Sequence, residues 1–254
     1  MTMPDALIGY TGFVGSTLLR QRRFDALYRS ANMADIAGGR FGTVVCAAAP
    51  AQKWIANREP AADKANLEGL MHYLGKIECE TFVLVSTVDV FPRPEGVDEA
   101  TAVDEQALQP YGLHRRELEK FVARRFSRHL IVRLPGLVGP GLRKNAVYDL
   151  KHDNNLGAID SRAVYQFYPM TNLWFDLEIA LRAQLSLLHL TAAPLSMAEV
   201  AREGFARTFE QHLSPSPARY DMRSLHAGVF AGRDAYQYDR RESLQAIRAY
   251  AQSP

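Results

Sequence analysis

The stretch Ala6-Leu7-Ile8-Gly9-Tyr10-Thr11-Gly12-Phe13-Val14-Gly15 sets a short apolar run directly against a Gly-x-x-Gly-x-x-Gly spacing. Residues 6–10 read as a short strand and residues 13–22 as a helix, so the glycines occupy a strand-to-helix turn. In that place each glycine has its own task. Gly9 permits the tight turn, Gly12 lets the backbone approach a pyrophosphate, and Gly15 lets the helix pack closely on the strand. The helix start, with Tyr10, Thr11, Phe13 and Val14 between the glycines, then turns amides and the positive dipole end toward phosphates. An ordinary glycine-rich turn would share the spacing. The repeated strand–helix units that follow favour dinucleotide binding.

Those units are legible outward from the turn. Strands are expected at 26–29, 43–48, 81–86 and 130–134, and helices at 60–77, with Pro60 in its first turn, and at 110–126. The run Thr81-Phe82-Val83-Leu84-Val85-Ser86 does not alternate, which marks a strand buried on both faces. Strands alternating with helices of ten or more residues imply βαβ units. The expected class is α/β, a Rossmann-type doubly wound parallel sheet. Past a Pro-rich and acidic loop at 92–104 and the strand at 130–134, the rhythm changes after Gly141. Helical patterns at 144–151 and 172–187 come next, then a strand at 187–190. Ser196 with Glu199 forms a capping-box pattern, followed by a Pro/Ser loop at 213–217 and a helix at 240–251. Residues 1–140 are therefore expected to form the dinucleotide-binding region. Residues 141–254 form a small α/β substrate lobe, within a single structural unit.

Composition bounds the function classes. Of 254 residues, 47% are hydrophobic and 23% charged, as in a soluble globular chain. Thirty Lys and Arg against 28 Asp and Glu leave +2, too balanced for electrostatic nucleic-acid binding. No apolar run approaches the ~20 residues of a bilayer span, and residues 1–5 lack a basic segment leading into an apolar core. Cys46 and Cys79 make no disulfide framework and lack metal-ligand spacing, and His152, His189 and His226 are scattered. A cytoplasmic, metal-free protein with no membrane or nucleic-acid partner is expected.

The second strand bears on the cofactor. NAD-binding turns carry an acid at its end for the ribose 2′-hydroxyl. Here the strand runs Ala26-Leu27-Tyr28-Arg29-Ser30, with no acid at its end. Arg29, with Ser30 beside it, suits a 2′-phosphate, so NADP is expected in preference to NAD; a surface arginine is the plain alternative. Asp35 and Ile36 are expected along the adenine edge.

Two further motifs carry a family resemblance. Ser86-Thr87-Val88-Asp89-Val90-Phe91 lies at the end of a buried strand, where open parallel sheets bind ligands. Tyr111-Gly112-Leu113-His114-Arg115 sets Tyr111 and Arg115 at i, i+4 on one helix face. With the glycine turn, this resembles the extended short-chain dehydrogenase/reductases, the NAD(P)-dependent sugar epimerase and dehydratase group. The likeness covers most of the chain. It takes in Ala47, Ala48 and Ala49 after the 43–48 strand, Asn66 in the next helix, and Arg133-Leu134-Pro135-Gly136-Leu137-Val138-Gly139-Pro140. The resemblance implies that Tyr111 acts as general acid or base with help from the Thr87 hydroxyl. It also implies that Ala47, Ala48, Ala49, Asn66, Ser86, Pro135 and Leu137 line the cofactor.

One position departs from the pattern. The family's lysine, four residues after the tyrosine, lowers the phenol pKa and holds the nicotinamide ribose; here it is Arg115. Arginine keeps the charge, but its planar fork does not reproduce an ammonium. Two readings stay open: an enzyme with a modified tyrosine partner, or a non-catalytic NADP-binding sensor or regulatory protein on the same scaffold. His114 lies about 100° round an ideal helix and is secondary.

The resemblance also narrows the substrate. Dehydratases of the group place Asp-Glu after the threonine, where this chain has Val88 and Asp89. GDP-fucose synthase-like members place a cysteine acid/base where Asp89 stands, and carry an aromatic–proline pair like Phe91-Pro92; that subgroup uses NADP. Asp89 is then either a second proton-transfer group or a turn cap. The expected substrate is a sugar nucleotide or a related keto or hydroxy compound. Arg143, Lys144 and Asn145 are placed to meet a diphosphate, or simply form a solvated helix start. For Tyr165, Phe167, Tyr168 and Trp174, core packing is favoured over base stacking. The modest chain length suggests a trimmed substrate lobe. A homodimer is expected through the 110–126 helix, although Arg116, Lys120, Arg124 and Arg125 make one side of it basic.

Overall fold

The computed structural model describes residues 3–253; Met1 and Thr2, on which part of the leader reading rests, lie outside the described residues. In chain order the first elements are β1 (Ala6–Ile8), α1 (Phe13–Gln21), β2 (Ala26–Tyr28), β3 (Arg40–Cys46), α2 (Lys53–Arg58), α3 (Pro60–Leu74) and β4 (Glu78–Thr87). Then come β5 (Glu95–Val97), α4 (Pro110–Arg125), β6 (His129–Leu134), β7 (Gly136–Val138), α5 (Ala146–His152), β8 (Val164–Tyr165) and β9 (Phe167–Pro169). The last are α6 (Leu173–Arg182), β10 (Leu187–His189), β11 (Leu195–Ser196), α7 (Met197–Glu199), β12 (Asp221–Met222) and α8 (Arg240–Gln252).

The chain divides into two compact units. One takes residues up to 92, 102–133 and 180–188; the other takes 93–101, 134–179 and 189 onward. The first is built on a six-stranded sheet of order β10-β6-β4-β3-β1-β2. Pairing is parallel from β4 through β3 and β1 to β2, with Leu7 opposite both Leu27 and Val45. This is the Rossmann-type α/β sheet that the alternating pattern implies. Strand order reverses at β1, between β2 and β3, which makes the carboxyl ends of β1 and β3 the topological switch point.

Strands β3 and β4 run longer than their apolar cores. They start at Arg40 and Glu78, which lie opposite each other and are ion-paired at 3.0 Å. A ladder between neighbours extends pairing into polar residues that periodicity does not mark. Phe82, Val83 and Leu84 are fully enclosed, and Phe82 stacks on Phe126 with centroids 4.2 Å apart. Helix α3 buries Asp63, Leu67, Leu70 and Leu74, a single stripe with the i, i+4, i+7 rhythm of an amphipathic helix. It ends at Leu74, short of the expected 77, and Ile77 goes into the core instead. Likewise α6 stops at Arg182, because Gln184 adopts a left-handed conformation at φ 55°.

Helix α4 is fixed by charge as well as by packing. Arg133 donates from Nε and Nη2 to the two oxygens of Glu119 at 3.0 and 2.8 Å. Ser86 donates to Glu119 Oε1 at 2.6 Å, and Arg116 to Oε2 at 2.9 Å. Arg133 and Glu119 are buried, so this network ties α4 to β4 and β6 with their donors and acceptors matched.

The second unit holds three two-stranded ladders, β7–β9, β8–β11 and β5–β12. Phe167 and Tyr168 are core residues, as favoured from the sequence, and Tyr168 and Tyr238 both donate to Asp176 Oδ2. Ser196 and Glu199 form the expected capping box at α7, and Asp239 with Glu242 forms another at α8. Among the described residues, no helix is long and apolar enough to cross a membrane.

Candidate active site

The glycine turn closes the switch point. Gly9 has φ +85°, and a Cβ there would lie 2.5 Å from the Ala47 carbonyl oxygen, so the turn after β1 sits flush on the segment after β3. A Cβ at Gly15 would overlap the Gly9 carbonyl. At Gly12 the nearest atom would be 3.5 Å away, ordinary contact, and Thr11 and Gly12 are exposed at the tip of the turn. Gly12 is the N-cap of α1 and provides no side-chain cap. An open approach to uncapped first-turn amides fits an anionic pyrophosphate. Tyr10, Phe13 and Val14 are half-buried around it, as are Ala47, Ala48 and Ala49 beyond β3.

Beyond β2, Arg29 and Ser30 are exposed. Asn32 shapes this turn by accepting from Arg29 N at 2.8 Å and donating to Leu27 O at 3.0 Å. Asp35 is exposed, but Ile36 is fully buried in the core beside Phe41 and Leu74, so its side chain does not face an adenine edge. Asn66 stands exposed on α3, outside the buried stripe, and the residue of α3 that reaches Arg115 is Asp63.

Tyr111 lies at the first turn of α4, where Pro110 occupies a position that needs no amide donor. Its backbone N–H donates to Asn57 Oδ1 of α2 at 2.9 Å. Thr87 ends β4, at the carboxyl edge of the sheet. Burial pushes the phenol above its ordinary pKa. Arg115 opposes the rise, Asp89 adds to it, and Thr87 and Lys53 oppose it without cancelling it.

Arg115 stacks on the tyrosine and is bonded to α3. Its guanidinium carbon lies 3.9 Å from the Tyr111 ring centroid, over the face of the ring. Nη1 donates to Asp63 Oδ2 at 2.5 Å, and Nη2 donates to Asp63 Oδ1 at 2.8 Å and to the Pro50 carbonyl at 2.5 Å. Nε is buried without a hydrogen-bond partner. His114 also reaches Asp63, with Nδ1 at 2.7 Å from Oδ2, and so belongs to this cluster despite its angular offset from Arg115. Burial works to raise the Asp63 carboxyl, but hydrogen bonds and charge from Arg115 and His114 outweigh it and hold it below the usual range.

Asp89 begins the turn after Thr87. Its N–H donates to Thr87 Oγ1 at 3.2 Å, and its carboxylate accepts from Lys53 Nζ at 2.7 Å. It is therefore an ion-pair partner within the site. A Cβ at Gly112 would overlap the Asp89 carbonyl oxygen, so the first turn of α4 rests directly on this turn.

Other expected residues take structural positions. The Ser86 hydroxyl is committed to Glu119 and does not face outward to a cofactor. Phe91 is buried with the Arg133 guanidinium 5.0 Å from its ring centroid. In the second unit, Pro135 is buried and Leu137 half-buried in β7. Asn145 caps α5 by accepting from Val147 N and Tyr148 N, and donates to Leu137 O at 2.8 Å. Its amide is thus engaged within the fold, whereas Arg143 is exposed. The basic side of α4 is largely matched: Arg116 and Lys120 pair with Glu105, and Arg125 donates to the Ile77 carbonyl.

No family model matches the sequence, and no curated protein resembles it significantly. Solved structures do resemble it in fold. They include the Bordetella bronchiseptica enzyme WbmG in complex with NAD, at TM-score 0.77 and 14% identity over 98% of this chain and 94% of that one. Another is dTDP-4-dehydrorhamnose reductase of Bacillus anthracis in complex with NADP, at 0.72 and 16% over 98% of each. A third is UDP-N-acetylglucosamine 4-epimerase of Methanobrevibacter ruminantium in complex with UDP-N-acetylmuramic acid, at 0.77 and 12% over 99% and 97%. The chain shares their fold. The likeness runs through both halves, including the stretch after Gly141 where the strand–helix rhythm is lost.

Three site residues were not singled out from the sequence: Lys53, Asn57 and Asp63. Lys53 and Asn57 lie on α2, six residues long and too short to show periodicity. Asp63 reads as a first-turn acid on α3. Its one available signal was Arg115, since a buried arginine requires a carboxylate partner.

Proposed function

We propose that the chain is an NADP-preferring oxidoreductase, a reductase or epimerase, acting on a nucleotide sugar or a related keto or hydroxy compound. The reading is carried by one observation: Thr87 ends β4 and Tyr111 opens α4, whose first turn rests on the Asp89 turn, at the same end of the sheet as the glycine turn. Residues 9–15 would hold the pyrophosphate, and Arg29 with Ser30 the 2′-phosphate. Bound NADP would supply or accept the hydride. Tyr111 exchanges the proton of the reacting oxygen and Thr87 orients that oxygen. A phenol raised by burial is protonated at neutral pH, which suits donation to a carbonyl oxygen as it is reduced. Structures of similar fold crystallised with NAD or NADP support the cofactor class.

The second reading, an NADP-binding sensor without catalysis, is favoured by the commitment of Arg115 to Asp63 and Pro50. Calorimetric titration with NADP and NAD comes first, followed by hydride transfer with a panel of nucleotide sugars. Tighter NADP binding and turnover lost in Tyr111→Phe are expected. Dinucleotide binding with no hydride exchange would favour the sensor, and no binding of either dinucleotide at millimolar concentration would end both readings.

A further inference from the structure

A cation beside a phenol favours the phenolate only as far as its charge is left unmatched. Over Tyr111 the match is close. The Arg115 guanidinium carbon stands 3.9 Å from the centroid of the Tyr111 ring, over its face. Nη1 donates to Asp63 Oδ2 and to the Tyr111 carbonyl at 3.2 Å, and Nη2 donates to Asp63 Oδ1 and to the Pro50 carbonyl. Every terminal N–H of the guanidinium is then engaged, which fixes the cation on the ring face. Both carboxylate oxygens of Asp63 lie against that same cation, and Asp63 and Arg115 are buried together. With little water between them, the carboxylate reaches the phenol at a range close to that of the guanidinium.

We propose that Asp63 is a positioning residue that keeps Tyr111 a proton donor at neutral pH, because its carboxylate cancels the Arg115 charge that covers the ring. The inference rests on Tyr111 being the acid–base group, but its test needs no substrate. The other charged groups at this turn are His114 of α4 and the ion pair of Asp89 and Lys53. His114 Nδ1 lies 2.7 Å from Asp63 Oδ2. Asp89, after β4, has its carbonyl beneath Gly112 and its carboxylate on Lys53 of α2. The direction of the phenol agrees with a cancelled cation: burial raises it, and Arg115, the largest opposing influence, does not bring it back. Against burial, Arg115 and His114 hold the Asp63 carboxyl below its usual range, so it is charged wherever a phenol titrates.

The experiment is a ¹⁹F NMR titration of the whole chain labelled with 3-fluorotyrosine, which titrates below ordinary tyrosine, with Tyr111→Phe assigning the resonance. Asp63→Asn keeps an acceptor for Arg115, and the Pro50 and Tyr111 carbonyls still hold the guanidinium, so its charge is left unmatched over the ring. The Tyr111 midpoint is expected to fall by about one pH unit, the scale of a nearby unit charge. Because this variant is also destabilised, the substitution is read a second time against Arg115→Met. There Asp63→Asn/Arg115→Met should titrate about one pH unit below Arg115→Met alone. Glu117→Gln, which removes a carboxylate of α4 that faces Lys64, should leave the midpoint unchanged. A midpoint equal to or above that of the reference chain, in either comparison, would overturn the proposal, as would an equal fall in Glu117→Gln. An Asp63-dependent midpoint in a chain that transfers no hydride keeps this inference and removes the proposed function; an Asp63-independent midpoint in an active enzyme does the reverse.

Discussion

Asp63→Asn is expected to be among the most damaging polar substitutions in the first unit. Asp63 and Arg115 are 6% and 2% exposed, and the carboxylate takes two guanidinium donors as well as His114. Asparagine keeps the shape but leaves the Arg115 charge buried without a counter-charge, which costs about 3–5 kcal/mol. At about 2–4 °C per kcal/mol for a chain of this size, the melting temperature should fall by about 10 °C. Urea unfolding at pH 7 gives the free energy, and circular dichroism the melting temperature. The double variant Asp63→Asn/Arg115→Met removes the stranded charge and leaves the introduced amide to accept from His114, so it should recover at least half of the loss. The sign of the pH dependence follows from the carboxyl being held below its ordinary value. Its contribution is fully present above the unfolded carboxylate value, about 3.9, and disappears as pH falls through the lower folded value. The gap between parent and Asp63→Asn should therefore be undiminished at pH 7 and shrink below about pH 4. A double variant whose loss equals the sum of the two single losses, within about 0.5 kcal/mol, would falsify the coupling.

The glycines of the turn should separate in effect. Gly12→Ala should leave the melting temperature unchanged and weaken NADP about tenfold, ~1.4 kcal/mol, whereas Gly15→Ala should cost about 1–3 kcal/mol of stability because its Cβ meets backbone. Equal melting temperatures for the two variants would contradict the geometry. Arg29→Gln should weaken NADP about tenfold or more, the scale of one charge-assisted hydrogen bond, and leave NAD affinity unchanged; calorimetry with both dinucleotides decides it. Burial pushes the Cys46 and Cys79 thiols up to about 11. At pH 8 only about 0.1% of each is thiolate, so a disulfide reagent should label the folded chain slowly and both thiols promptly in guanidinium. Stoichiometric labelling of the folded chain within a minute would refute this.

The glycine spacing, the non-alternating run 81–86 and the Tyr111–Arg115 interval were legible because each follows from local geometry. A βα turn, a doubly buried strand and one helix face each repeat over a few residues. The roles of Arg115 and Asp89 were not legible in the same way. The i, i+4 spacing places Arg115 near Tyr111, but only the packing of α3 against α4 brings Asp63 to its guanidinium. Asp89 faces Lys53, 36 positions earlier in the chain, across a contact that no periodicity encodes. The same holds for Ile36 and Asn66, whose neighbours rather than their own types decide which of them is buried. Strand β10 shows the limit at the scale of the fold. Its apolar run is visible in the sequence, yet only the tertiary structure joins residues from the second half of the chain to the edge of the first unit's sheet. Local sequence determines which segments become strands, turns and helix faces, because those depend on neighbours a few residues away. Which cation meets which carboxylate is decided by the fold, because such pairs form only between elements that distant parts of the chain bring together.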